Sequence, residues 1–194
     1  MHNFMLKAEL RKKYLQKRKA LSNDEAFLLS EKIFKNFINY FKPKKGDKIH
    51  IFIAIEKFKE INTHFFISYF LSQEIRVFVP KIMGNDIISV EIFKDTEYKT
   101  NEWGISEPIS NIDSKVLDFD YVLTPLLYCD SKGNRVGYGK GFYDAFFEGL
   151  TQNVKKIGVN FFNPDKDIDD VWENDIPLNY LVLPTTVVSF TGLV

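Results

Sequence analysis

The chain has 194 residues, with 26 lysines and arginines against 26 aspartates and glutamates, so its formal charge is zero. That balance gives no global field to draw in nucleic acid or an anionic membrane. A lone Cys129 excludes a disulfide framework and a cysteine zinc site, and His2, His50 and His64 are not at metal-ligand spacing. The length suits a single domain over 1–194 whose core needs no disulfides. No apolar run approaches the roughly 20 residues that cross a bilayer. The start, MHNFMLKAELRKKYLQKRK, lacks an apolar h-region and a cleavage site. The expectation is a cytoplasmic protein without membrane association.

From Leu6 to Leu21, helical spacing places Leu6, Leu10 and Tyr14 inward, with basic residues over the other faces. Residues 7 to 19 carry seven cations and one acid. A solvated face explains most of them, yet Lys7 and Arg11 are an i, i+4 pair able to reach one anion. An RNA-binding reading finds no aromatic platform on this helix and no net positive charge to support it. SNDE at 22–25 has capping-box form and opens a second helix to about Tyr40, with Ala26, Leu29, Ile33 and Phe37 inward. FKPKKGDK is a turn. IHIFIAI (49–55) reads as a strand buried on both faces. INTHFFISYFLSQ is the next helix, and IRVFVP (75–80) the next strand.

Further strands are expected at 87–93, 120–125, 155–161 and 181–190, with GFYDAFFEGL as a helix between two of them. Alternation of this kind predicts an α/β fold, a mostly parallel sheet covered by helices. Ligands of such sheets sit beyond the strand C-termini.

RVGYGKGFYD (135–144) occupies such a position. Its glycines allow N–H groups to converge, a helix follows, and Arg135 and Lys140 add full charges, a composition suited to phosphate. The spacing is neither the GxxxxGK[ST] of a P-loop nor GxGxxG, so spacing alone leaves phosphate binding and a plain tight turn both open. Asp144 is either a first-turn acid facing the helix dipole or a magnesium ligand beside phosphates. PDKDIDDVWEND carries six carboxylates between Asp165 and Asp175, mostly a solvated loop with room for one or two ligands.

These residues together resemble the 5-formyltetrahydrofolate cyclo-ligase (5,10-methenyltetrahydrofolate synthetase) family over nearly the whole chain. The most specific piece is TPLLYCDSKGNRVGYGKGFYD. Lys7-x-x-x-Arg11, EINT at 60–63, WGISEP at 103–108 and ENDIP at 173–177 agree in order. The resemblance implies a three-layer fold related to ribose-5-phosphate isomerase and glucosamine-6-phosphate deaminase. It also implies ATP-dependent closure of 5-formyltetrahydrofolate, alone or polyglutamylated, to 5,10-methenyltetrahydrofolate, with release of ADP and phosphate. ATP would meet Lys7, Arg11, Arg135 and the loop Gly137, Tyr138, Gly139, Lys140, Gly141, Phe142 and Tyr143. The family pattern makes Asp144 and Asp175 the Mg²⁺ ligands. Folate would contact Ile55, Glu60, Trp103, Tyr138 and Phe142, with core packing as the plainer reading of Trp103 and Phe142. Lys140, Arg135 and Tyr143 are the catalytic candidates.

This sequence departs from the pattern at Phe142, where tyrosine is usual, and at Asn179 and Leu183, where Asp and Thr are expected. Cys129 reads as packing. The partner implied is a small molecule only, and the chain a monomer. A phosphosugar isomerase or deaminase would need no triphosphate cradle. A folate or nucleotide binder without turnover would need no groups to stabilise a moving phosphoryl.

Overall fold

Side chains alternate across a strand, so a sheet covered on both faces sorts its residues into two cores. The computed structural model describes residues 4–84, 86–101 and 105–192. In chain order the elements are β1 (Phe4–Met5), α1 (Lys7–Ala20), α2 (Asn23–Phe41), β2 (Lys48–Ile51), α3 (His64–Ser72), β3 (Arg76–Met83), β4 (Asp86–Ile92), β5 (Tyr98–Thr100) and β6 (Ser106–Pro108). There follow β7 (Tyr121–Pro125), β8 (Tyr128–Cys129), β9 (Arg135–Val136), α4 (Phe142–Glu148), β10 (Lys155–Val159), β11 (Asp167–Ile168), β12 (Tyr180–Val182) and β13 (Val187–Ser189). The central sheet has seven strands in the order β13-β12-β10-β7-β2-β3-β4. The run from β12 to β3 is parallel and both outer strands are antiparallel. The mostly parallel α/β sheet expected from the alternation is therefore present.

On one face, Ile49, Ile51, Val77, Val79, Leu123 and Val159 pack against Ile33 and Phe37 of α2 and Phe66 and Phe70 of α3. Each fully buried side chain of this kind contributes about 1.5–3 kcal/mol. On the other face, Phe78, Val122 and Leu181 meet Phe119 and Phe147, the latter from α4. A third cluster joins Leu10 and Tyr14 of α1 to Leu127, Tyr128, Val136 and Ile168. It lays α1 over the β8–β9 hairpin and so brings its Lys7/Arg11 face to the glycine loop.

Three local expectations change. The strand expected over 49–55 ends at Ile51, because the next amides turn to side chains. Ala54 N–H donates to Thr63 Oγ1 at 3.2 Å and Ile55 N–H to Glu60 Oε2 at 2.8 Å. The strand expected over 181–190 is a hairpin, β12 paired antiparallel with β13 and broken at residues 183–186 around Pro184. Leu6 precedes α1 and is 46% exposed. The capping box at Ser22 and Glu25 is present, with Ser22 N–H to Glu25 Oε2 at 2.7 Å and Glu25 N–H to Ser22 Oγ at 3.1 Å.

Candidate functional site

The glycine loop starts from a turn organised by one buried carboxylate. Asp130 Oδ1 accepts from the amides of Lys132 and Asn134, both at 2.9 Å, and Oδ2 from Asn134 Nδ2 at 2.9 Å. Gly133 sits in the left-handed region (φ +85°), and a Cβ there would lie 2.8 Å from Leu178 O, so only glycine fits. The carbonyl of Gly133 accepts from Leu178 N–H at 2.9 Å, which staples the turn to the segment after Asp175. Beyond β9, Gly139 (φ +87°) and Gly141 (φ +71°) also need positive φ. Gly137 does not, and its missing Cβ faces open space. Gly141 is the N-cap of α4.

Leu6 has no side-chain acceptor for the first amides of α1. Asp170 supplies one, Lys7 N–H donating to its Oδ1 at 2.6 Å. That bond draws the acidic segment onto α1, and Lys7 Nζ pairs with Asp175. One turn on, Arg11 Nε donates to Gly137 O at 2.9 Å, and its guanidinium covers Gly139, where an added Cβ would lie 3.3 Å away. Lys140 is exposed and has no ion pair among the described residues.

Arg135, whose side chain is 7% exposed, is held by Asp144. Nη2 donates to Asp144 Oδ1 at 2.7 Å and Nη1 to Ile176 O. Ile176 N–H donates to the same Oδ1 at 3.0 Å, so Asp144 is linked to the residue after Asp175. Burial works against the Arg135 charge, and the carboxylates of Asp144 and Asp175 offset it. Among the described residues no three carboxylate, histidine or cysteine side chains gather as a metal cluster. The carboxylates of Asp144 and Asp175 are instead tied to cations, Arg135 and Lys7.

Tyr138, between the first two glycines of the loop, reaches the other side of the site. Its hydroxyl donates to Glu60 Oε1 at 2.7 Å and accepts from Arg18 Nη2, and its ring lies 5.5 Å from that of Phe58. Glu60 is 7% exposed, and burial raises its pKa against the opposing pull of the Ile55 amide, Tyr138 and Arg18. Each carboxylate oxygen accepts one of these bonds and keeps further lone-pair capacity for a ligand. Ile55 and Phe142 are half-buried. The Tyr143 hydroxyl is buried with no hydrogen-bond partner among the described residues. Trp103 lies outside the described residues. Arg18 and Asp130 were not singled out from sequence, although Arg18 continues the buried Leu10–Tyr14 stripe at i+4.

The arrangement gathers cations from α1 and the glycine loop on one side and a buried acceptor for N–H donors on the other. The cyclo-ligase resemblance seen in the motifs extends to whole-chain comparisons. Residues 4–162 match the model of the 5-formyltetrahydrofolate cyclo-ligase family. The chain is 30% identical over 175 residues to a 5-formyltetrahydrofolate cyclo-ligase of Mycoplasma pneumoniae, covering 90% of this chain and 97% of that one. It is 30% identical over 164 residues to a probable 5-formyltetrahydrofolate cyclo-ligase of Schizosaccharomyces pombe, covering 75% and 78%. Among solved structures it resembles the 5,10-methenyltetrahydrofolate synthetase of Aquifex aeolicus, with a TM-score of 0.81 at 30% identity over 97% of this chain and 94% of that one. Motifs, fold and relatives converge, and the chain belongs to the 5-formyltetrahydrofolate cyclo-ligase family.

Proposed function

We propose that the protein closes 5-formyltetrahydrofolate to 5,10-methenyltetrahydrofolate with ATP, by phosphorylation of the formyl oxygen and attack of N10. The observation that carries this reading is the double tie of one loop. Gly137 and Gly139 take Arg11, while Tyr138 between them donates to Glu60. A cation-lined backbone and a carboxylate suited to a donor-rich ring are thereby held in one constellation.

A formamide oxygen is a poor leaving group. Transfer of the γ-phosphoryl of ATP to it gives an iminium phosphate, N10 adds to the carbon, and phosphate departs. The chain's work is to align the two substrates and neutralise charge on the moving phosphoryl. Lys7, Arg11, Arg135, Lys140 and the Gly137–Tyr143 loop are assigned to ATP. Glu60 is assigned to the pterin, with Ile55, Trp103, Tyr138 and Phe142 along the folate. Lys140, exposed and without an ion pair among the described residues, is assigned to the transferred phosphoryl, and Arg135 sets the loop through Asp144. The buried Tyr143 hydroxyl supports a contact formed only once substrate is bound.

Asp144 and Asp175 fit a magnesium ion held jointly with phosphates, a setting that asks only one or two carboxylates of a protein. Asp144 Oδ2 accepts no bond among the described residues, and Lys7 occupies Asp175 Oδ2 until a stronger cation competes. When bound, magnesium supplies charge neutralisation to the triphosphate. The proposal takes the enzyme to be a cytoplasmic monomer using free or polyglutamylated folate. No helix among the described residues is long and apolar enough to cross a membrane.

The test is near-ultraviolet absorbance of purified protein with 5-formyltetrahydrofolate, with and without ATP and magnesium. Growth of the methenyl band only with both present is the expected result. A flat trace from folded, ATP-binding protein would instead indicate a binder without turnover.

A further inference from the structure

Arg18 is 2% exposed, yet among the described residues no carboxylate pairs with it directly. Its hydrogen bonds go to two neutral oxygens, Leu126 O at 3.4 Å and the Tyr138 hydroxyl, and its Nε has no partner among the described residues. A buried cation held this way costs stability that an apolar residue on the same stripe would not. The guanidinium carbon lies 5.7 Å over the Tyr138 ring. A carboxylate stands one hydroxyl further on, because Tyr138 accepts from Arg18 and donates to Glu60.

We propose that Arg18 is a positioning residue: through the Tyr138 hydroxyl it aims the Glu60 carboxylate to receive the folate ring and favours its charged form against burial. The inference rests on the reading of Glu60 as the pterin acceptor. A hydroxyl that accepts from a guanidinium is a stronger donor to the carboxylate beyond it, and the chain fixes the tyrosine's proton toward Glu60. An Arg fork cannot be deprotonated, so the chain keeps one direction across the working pH range.

The other groups facing Glu60 do not substitute for it. Tyr143, from α4, brings a neutral phenol that burial, reinforced by the Glu60 charge, holds protonated. Lys59, adjacent in sequence, spends its ammonium on the carbonyls of Lys19 and Leu21 at the end of α1. Ile55 contributes only its amide. The cationic side of this acceptor is therefore Arg18, and α1 serves both substrates: Arg11 the nucleotide loop, Arg18 the folate reader two turns further along the helix.

The test is steady-state kinetics against pH for wild type, Arg18→Met, Arg18→Lys, Tyr138→Phe and Glu60→Gln, varying 5-formyltetrahydrofolate and ATP separately. Arg18→Met is expected to raise KM for the folate about tenfold and leave KM for ATP within about threefold. It should also move the acid limb of kcat/KM for the folate up by about one pH unit, as loss of a nearby opposite charge does to a carboxylate. Arg18→Lys retains the charge and should return the limb most of the way. A brace with no electrostatic role would alter melting temperature and leave the limb in place. A folded Arg18→Met with unmoved limb and folate KM overturns the inference. If that variant does not fold, Tyr138→Phe breaks the same chain and must move the limb in the same direction, or the inference fails. Glu60→Gln separates the two levels, since it should raise folate KM and abolish the limb. Should it do neither, the pterin reading of Glu60 falls and this inference with it.

Discussion

His50 offers a test of how tightly the sheet is closed beneath the site. It lies on β2, fully buried, with its ring 4.5 Å from Phe146 of α4 and 5.4 Å from Phe119. Neither ring nitrogen has a hydrogen-bond partner among the described residues. Burial pushes its pKa down from 6.5 to about 3, so the folded protein holds a neutral imidazole. The unfolded chain takes up a proton that the fold refuses. The stability contribution is therefore full above the unfolded pKa and is lost as pH falls toward about 3. At pH 5 the unfolded imidazole is about 1.5 units below its own pKa, which at about 1.4 kcal/mol per unit is about 2 kcal/mol. That figure is the stability lost at pH 5; at pH 7.5 the loss is near zero. His50→Leu removes the titration and the unpartnered nitrogens together. The variant should be at least as stable as wild type at pH 7.5 and gain about 2 kcal/mol on it at pH 5, about 4–8 °C in Tm for a chain of this size. Calorimetry of both proteins at the two pH values reads the difference directly, with the carboxylate titrations common to both cancelling. A stability gap that stays constant with pH would refute the reasoning, because the native imidazole would then titrate as it does in water.

Two glycines of the loop should separate ligand from fold. Gly137→Ala meets ordinary φ and open space, so Tm should stay within about 2 °C while KM for ATP rises if phosphate approaches that backbone. Gly139→Ala is strained at φ +87° and crowds Arg11, and should lower Tm by several degrees as well as weaken ATP, both read by melts and kinetics. Arg135→Ala removes a nearly buried ion pair with a part-exposed Asp144 and should cost about 2 kcal/mol, with ATP-dependent turnover falling at least about a hundredfold. Asp144→Asn should raise the magnesium concentration needed for half-maximal rate about tenfold or more, measured by titration at fixed ATP. Glu60 carries a raised folded pKa, so its stabilising contribution is present below the ordinary carboxylate range and lost as pH rises through the raised value. Glu60→Gln should therefore raise the Tm of the ligand-free protein more at pH 8 than at pH 4.5.

What could be read from sequence was whatever a local period or a local motif encodes. β3, β7 and β10 announce themselves by apolar runs, α2 by its capping box and its Ala26–Ile33–Phe37 stripe, and the loop by its glycines. The strand ends were not legible, because what stops β2 at Ile51 is a pair of side-chain acceptors, Glu60 and Thr63, that follow it. The hairpin at β12–β13 hid inside one apolar stretch, where only Pro184 hinted at the break. Among site residues, Lys7, Arg11, Arg135 and Asp144 were picked out by motif, but their partners were not. The bonds that join the separate parts of the site link segments far apart in the chain: Arg11 to Gly137, Tyr138 to Glu60, Lys7 to Asp175. No periodicity records such pairings, since they depend on α1 being laid across the β8–β9 hairpin by Leu10, Tyr14 and Val136.

Arg18 is the case where the signal existed and pointed the wrong way. A cation in a basic helix reads as a solvated face, and six neighbouring cations within residues 7–19 make that reading natural. Its register says otherwise, for it follows Leu10 and Tyr14 at four-residue intervals on the stripe that is buried. A charge on an apolar stripe breaks the binary pattern of a helix, and such breaks are where a fold gives up stability for a site. By the same criterion His50 breaks the apolar run of β2, yet neither nitrogen finds an acceptor or donor among the described residues. The two violations thus part company on one observation. Arg18 ends on a hydroxyl that leads to a carboxylate, and replacing it should cost folate binding. His50 ends among aromatic rings, and replacing it should cost the reaction nothing.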